Sequence, residues 1–153
     1  RTGPKEEEMF RHVLLPTDGS ELATRAVDAG IELARMIGAK VTIVTVVERF
    51  HVYTTNPQQI EASVREYQAH AAGHCAQVLG DARAKARAAG VPVETGNRTA
   101  DVAWEEIVGT AGQVGADLIA MASHGRRGLS ALMLGSQTSR VLAEAKVAVL
   151  VLR

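Results

Sequence analysis

The feature that most constrains this chain is a set of apolar segments of strand length that do not alternate with polar residues. Leu118-Ile119-Ala120-Met121-Ala122 and Val147-Ala148-Val149-Leu150-Val151-Leu152 are apolar at every position. Such strands are expected where helices cover both faces of a parallel sheet. Further runs at His12–Pro16, Val41–Val47 and Val91–Val93 bring the expected strands to five. Longer segments of helical spacing separate them, and strand alternating with helix is the pattern of a doubly wound α/β sheet. The first helix places Leu22, Ala23, Ala26, Val27, Ile31, Ala34 and Ile37 on one face, with Ser20 as N-cap and Gly38 as stop. The second is expected over Gln58–Ala89, with Gly73 and Gly80 as the places where it would break. The third runs from about Thr99 to Thr110, and the fourth starts near Gly135-Ser136 and ends before Lys146.

At 153 residues the chain is long enough for one core and short for two, so residues 9–153 read as a single domain. Residues 1–8 read as a disordered extension or an expression remnant. Lysine plus arginine and aspartate plus glutamate each total 17, so no net field draws in nucleic acid or an anionic membrane. Aromatic residues are only 3%, which leaves few platforms for stacking single-stranded bases. One cysteine, Cys75, permits no internal disulfide and suits a reducing, cytoplasmic compartment. No apolar run approaches the roughly 20 residues that span a bilayer, so no membrane insertion is expected.

In open α/β sheets the ligand crevice lies beyond the carboxyl ends of the strands, where strand order reverses. Two post-strand loops are rich enough for chemistry: Pro16-Thr17-Asp18-Gly19-Ser20, and Ala122-Ser123-His124-Gly125-Arg126-Arg127-Gly128, which continues to Gly135-Ser136-Gln137 at a helix start. Gly125 and Gly128 let backbone approach a ligand, Gly135-Ser136 adds amides and a hydroxyl at a positive helix end, and Arg126 and Arg127 offer counter-charge to a polyphosphate. The plainer reading of those glycines is turns and caps. Asp18 is either a ligand for a ribose hydroxyl or a nucleotide-bound divalent ion, or simply a turn former before glycine. Ser20 reads as a cap, since no nucleophile elbow surrounds it. His70 and His74, four apart on a helix, read as a solvated face in preference to a metal pair. Neither a Gly-x-Gly-x-x-Gly turn nor a phosphate-loop Gly-x4-Gly-Lys-Ser/Thr motif is present.

These residues carry a resemblance. From Met9 to Arg153 the chain resembles the universal stress protein family: Val13-Leu14-Leu15-Pro16-Thr17-Asp18-Gly19-Ser20 is similar to its opening strand and loop. The family signature Gly-x2-Gly-x9-Gly-Ser/Thr is matched by Gly125, Gly135 and Ser136, with Ala122 in place of the first glycine. The resemblance implies a parallel sheet of order 3-2-1-4-5 of the adenine nucleotide α-hydrolase-like kind, and an ATP site between strands one and four. Carried over, Pro16, Thr17, Asp18 and Val46 hold the nucleoside. Met121, Ala122, Gly125, Arg126, Gly128, Gly135, Ser136 and Gln137 hold the remainder, with magnesium held indirectly through the nucleotide and Asp18. The resemblance also implies a homodimer through Val147–Leu152, and a stress-response binder that is at most a slow ATPase. The competing reading is a family member that has lost the nucleotide, Ala122 crowding its backbone, and that works by protein contacts alone. A receiver-type enzyme ranks last, because Val93-Glu94-Thr95-Gly96 offers no aspartate after the third strand.

Overall fold

The computed structural model describes residues 10–49, 57–125 and 134–153. In chain order the elements are β1 (His12–Pro16), α1 (Glu21–Ile37), β2 (Lys40–Glu48), α2 (Pro57–Ala88), β3 (Val93–Ala100), α3 (Ala103–Val114), β4 (Leu118–Ala122), α4 (Ser136–Glu144) and β5 (Ala148–Leu152). The sheet is five-stranded with order β3-β2-β1-β4-β5, and every neighbouring pair is parallel. Strand order therefore reverses between β1 and β4, whose carboxyl ends point the same way. Every residue of β1 and β4 is buried, which is why those segments read as unbroken apolar runs.

Two cores flank the sheet. Val13, Leu15, Val41 and Ile43 face α1 and the C-terminal half of α2, packing with Val27, Ile31, Leu79 and Ala86. Leu14, Val44, Ile119 and Met121 face the opposite side with Ile107, Ala111 and Val141. The helix termini follow local chemistry. The Ser20 hydroxyl accepts from the Ala23 amide, and α1 stops at Gly38, whose φ of 71° is the left-handed conformation glycine adopts without a Cβ penalty. Helix α2 passes through Gly73 and Gly80 without a break.

The third strand departs from the sequence expectation. It runs over Val93–Ala100, not Val91–Val93, and pairs with β2 along its whole length, Val41 with Val93 through Glu48 with Ala100. As an edge strand it mixes half-buried residues with exposed Glu94, Asn97 and Thr99 and has none fully buried, so it gives no apolar run. Thr99 and Ala100, expected in the third helix, are thereby taken into the sheet. The helix α3 starts at Ala103 and continues past Thr110 to Gly115, a left-handed C-cap at φ 69°. Its N-cap, Val102, has no side chain suited to the task. The cap comes from elsewhere: Gln137 Oε1 accepts the Trp104 amide at 2.9 Å.

At the opposite end of the sheet His12 is buried at 4% exposure. Its Nε2 lies 2.7 Å from Thr42 Oγ1, and the Val114 carbonyl is a second hydrogen-bond partner. Burial, reinforced by Lys40, lowers its pKa below the ordinary 6.5, against the opposing pull of Asp117. Because the folded pKa is depressed, the unfolded chain takes up the proton first. The contribution of His12 is thus fully present above about pH 6.5 and is lost as pH falls through the folded value. Urea midpoints should drop between pH 7.5 and 5.5, and the drop should shrink in His12→Gln. An equal drop in the variant would remove His12 as its source.

Candidate functional site

The carboxyl ends of β1, β2 and β4 open into a cavity of about 520 Å³. On the β1 side the chain leaves the sheet under tight control. The Thr17 amide donates to the Val44 carbonyl at 2.8 Å, the Ser20 amide donates to Asp18 Oδ1 at 3.0 Å, and the Gly19 amide donates to Thr17 Oγ1 at 3.2 Å. Gly19 has φ +75°, and a Cβ there would lie 2.6 Å from Val78 Cγ2 and 3.0 Å from His74 Nε2. Glycine is required at this position on both counts. Asp18 shows its turn-forming reading through Oδ1, while Oδ2 lies beside the β4 loop, 2.6 Å from where a Gly125 Cβ would stand.

The β4 side is tied into the sheet and α4. The Ser123 amide donates to the Leu152 carbonyl and the Gly135 amide donates to the Ser123 carbonyl, each at 2.8 Å. The Thr138 hydroxyl donates to the Ala122 carbonyl at 3.0 Å. The N-terminus of α4 thus faces the cavity with Ser136 and Gln137. The Gly135 amide, expected to meet a ligand, is spent on Ser123, because closing the loop against β4 takes that donor. The Gln137 side chain is likewise turned to α3, where it caps Trp104. Ala122 packs with Ala23 and Ala26 of α1 and with Leu152, so its methyl has a place in the fold.

Of the residues singled out from the sequence, Pro16, Thr17, Asp18, Val46, Met121, Ala122, Gly125, Gly135, Ser136 and Gln137 all line this one cavity. Arg126 and Gly128 lie outside the described residues. Sequence reasoning missed a wall. Helix α2, at 32 residues, is about 48 Å long against about 30 Å for the nine-residue β2, so its first half overhangs the strand ends. Tyr67, His70, Ala71, His74 and Cys75 line the cavity from this overhang. Two hydrogen bonds hold it in place: Tyr67 Oη donates to the Glu48 carbonyl at 2.9 Å, and His74 Nε2 lies 3.3 Å from the Asp18 carbonyl. The spacing Tyr67-x2-His70-x3-His74 was a legible signal, since i, i+3 and i+7 share a helix face. His124, named only as part of a loop, also lines the cavity, its Nδ1 3.1 Å from Ser123 Oγ. Among the described residues no group of three or more His, Cys, Asp or Glu is placed to hold a metal ion.

A doubly wound parallel sheet with a largely apolar crevice, edged by polar groups, at its topological switch point is the ligand-binding form of the α/β class. A model of the universal stress protein family matches residues 9–153. Universal stress protein YxiE of Bacillus subtilis is 31% identical over 95% of this chain and 100% of its own length. Universal stress protein UspA from Lactobacillus plantarum superposes with a TM-score of 0.82 at 22% identity, covering 94% of this chain and 97% of that one. A universal stress protein solved in complex with cAMP is 25% identical, with a TM-score of 0.66 over 94% of this chain and 97% of that one. The chain belongs to the universal stress protein family.

Proposed function

We propose that the protein is an ATP-binding regulatory module of the stress response, acting as a cytoplasmic homodimer. The observation that carries this reading is the meeting of the Asp18 loop and the α4 N-terminus in one cavity of nucleotide size, about 520 Å³. In this reading Pro16, Thr17 and Val46 hold the nucleoside, Asp18 takes the ribose or the nucleotide-bound magnesium, and Met121, Ala122, Gly125, Gly135, Ser136 and Gln137 border the phosphates. Arg126 and Gly128, outside the described residues, are assigned there by the family resemblance alone. The helix dipole of α4 favours an anion there. The relative solved with cAMP supports an adenine ligand. The residues favour binding over turnover, with hydrolysis slow at most. The competing, nucleotide-free reading draws on Ala122, which packs with Ala23, Ala26 and Leu152 and also lines the cavity. Calorimetric titration with ATP and magnesium tests the reading directly; absence of binding would transfer the bet to protein contacts alone.

The dimer proposal rests on β5. It is an edge strand with Ala148 and Leu150 exposed, an arrangement that invites pairing with a second edge. Val149 packs against the α3 and α4 core, so it is a poor probe. Leu150→Lys places charge on the exposed side and should convert the dimer to monomer in light scattering. A variant that remains dimeric would exclude pairing through this strand.

A further inference from the structure

We propose that the overhanging first half of α2, residues 60–72, is a lid on the cavity that opens about Gly73, so that a ligand enters and leaves only when it lifts. The inference rests on the nucleotide reading above and adds to it how access to that site is controlled. Burial divides the helix in two. From Ile60 to His74 no residue is fully buried. Beyond it Cys75, Leu79, Ala82 and Ala86 are buried, the last three within the core on the α1 side of the sheet. The second half is therefore seated on the sheet, and the first is held by shallower contacts. An isolated helix shorter than about 12–15 residues is marginal in water, and a segment with few buried apolar contacts opens at a fraction of the global unfolding free energy.

Gly73 stands at the boundary between the halves. A Cβ there would meet nothing within 4 Å and its φ is not positive, so neither packing nor backbone conformation calls for glycine. What glycine does inside a helix is weaken it, by about fivefold in the local equilibrium relative to alanine. On one side of this weak point the helix is anchored. His74 Nε2 lies 3.3 Å from the Asp18 carbonyl, and Val78 Cγ2 would be 2.6 Å from a Cβ on Gly19. On the other side the Tyr67 hydroxyl donates to the Glu48 carbonyl at 2.9 Å. That bond is exposed, and in contact with water a hydrogen bond is exchanged at small net cost. Tyr67, His70 and Ala71 line the cavity from this segment. Lifting it about Gly73 thus removes a wall while Asp18, Gly125 and the N-terminus of α4 stay in place.

The first readout needs no ligand. Hydrogen exchange of the full chain should be at least about a hundredfold faster over residues 60–72 than over residues 75–86. Gly73→Ala, which adds no contact, should slow exchange in the first half about fivefold. Gly80→Ala, where a Cβ also meets nothing within 4 Å but which lies in the seated half, should leave the first half unchanged. The second readout is stopped-flow binding of ATP carrying a fluorophore on its ribose, with magnesium. Gly73→Ala favours the closed helix equally with and without ligand, so association and dissociation should both slow about fivefold while Kd holds. Tyr67→Phe, which removes the closing bond, should speed both. Equal protection of the two halves, or binding rates unaltered in Gly73→Ala, would overturn the lid and leave the nucleotide reading standing. No binding of labelled or unlabelled ATP by the unmodified protein would overturn both.

Discussion

Replacing Gly135 with aspartate should weaken ATP by at least about a hundredfold while leaving the fold intact. Gly135 is the N-cap of α4 in extended backbone, φ −62° and ψ 152°, so no left-handed conformation is at stake. What the substitution changes is space and charge. A Cβ at this position would stand 3.1 Å from His124 Cα and 3.4 Å from the Ser123 carbonyl oxygen, tight enough to displace the loop by a few tenths of an ångström. The carboxylate then lies beside the proposed phosphate site. Two unit charges about 4 Å apart interact by about 4 kcal/mol near a protein surface, which allows the hundredfold loss even after screening. Aspartate is also a favoured N-cap and complements the helix dipole, so the thermal midpoint should hold or rise, and lost affinity cannot be ascribed to unfolding. Gly135→Ala separates the two effects: it crowds without charge and should cost ATP far less. Unchanged ATP affinity in the aspartate variant would place the phosphates elsewhere.

The site was legible where its residues are loop residues with distinctive chemistry, and hidden where they depend on relative lengths. Strands β1 and β4 were readable to the residue because burial on both faces leaves, His12 apart, only apolar side chains, and the Ser20 and Gly38 caps because each performs a local task. Strand β3 was not, because none of its residues is fully buried and Glu94, Asn97 and Arg98 dissolve the signal. Its true length then shifted the start of α3, whose cap is a glutamine 33 positions from Trp104, beyond any local reading. The α2 wall stayed hidden because a helical face looks solvated until one knows that the helix outruns the sheet. Asp18 shows a different limit: turn former and site residue are alternatives in sequence, yet forming the turn takes only Oδ1 and leaves Oδ2 beside Gly125.

A double-mutant cycle between Leu15 and Gly30 should show strong compensation, on the order of 2 kcal/mol. Leu15 is wholly buried on the α1 face of β1. Gly30, in the middle of α1, is there because helix and strand approach so closely that a Cβ would lie 2.3 Å from Leu15 Cδ2. Gly30→Ala alone gains about 1 kcal/mol of helix propensity, but Leu15 is wholly buried in the same core as Val27, Ile31 and Val41, so its Cδ2 must be displaced within packed surroundings. Overpacking of this kind costs about 1–3 kcal/mol, so the single variant should be destabilised by about 1 kcal/mol. Leu15→Ala alone should lose about 3 kcal/mol through the cavity it leaves. In that background the clash is gone, the alanine methyl occupies part of the void, and the propensity gain is realised, so Gly30→Ala becomes stabilising. Urea denaturation of the four proteins at one concentration, fixed because any dimer links stability to concentration, measures the coupling. Losses that add within about 0.5 kcal/mol would mean that α1 shifts freely over β1 and that Gly30 does not set its height. The contact bears on the site as well: Leu15 is three residues from Asp18, and the Ser20 cap hangs from the helix that Gly30 seats, so a raised α1 should carry the Asp18 turn away from Gly125 and weaken ATP in Gly30→Ala but recover it in the double variant.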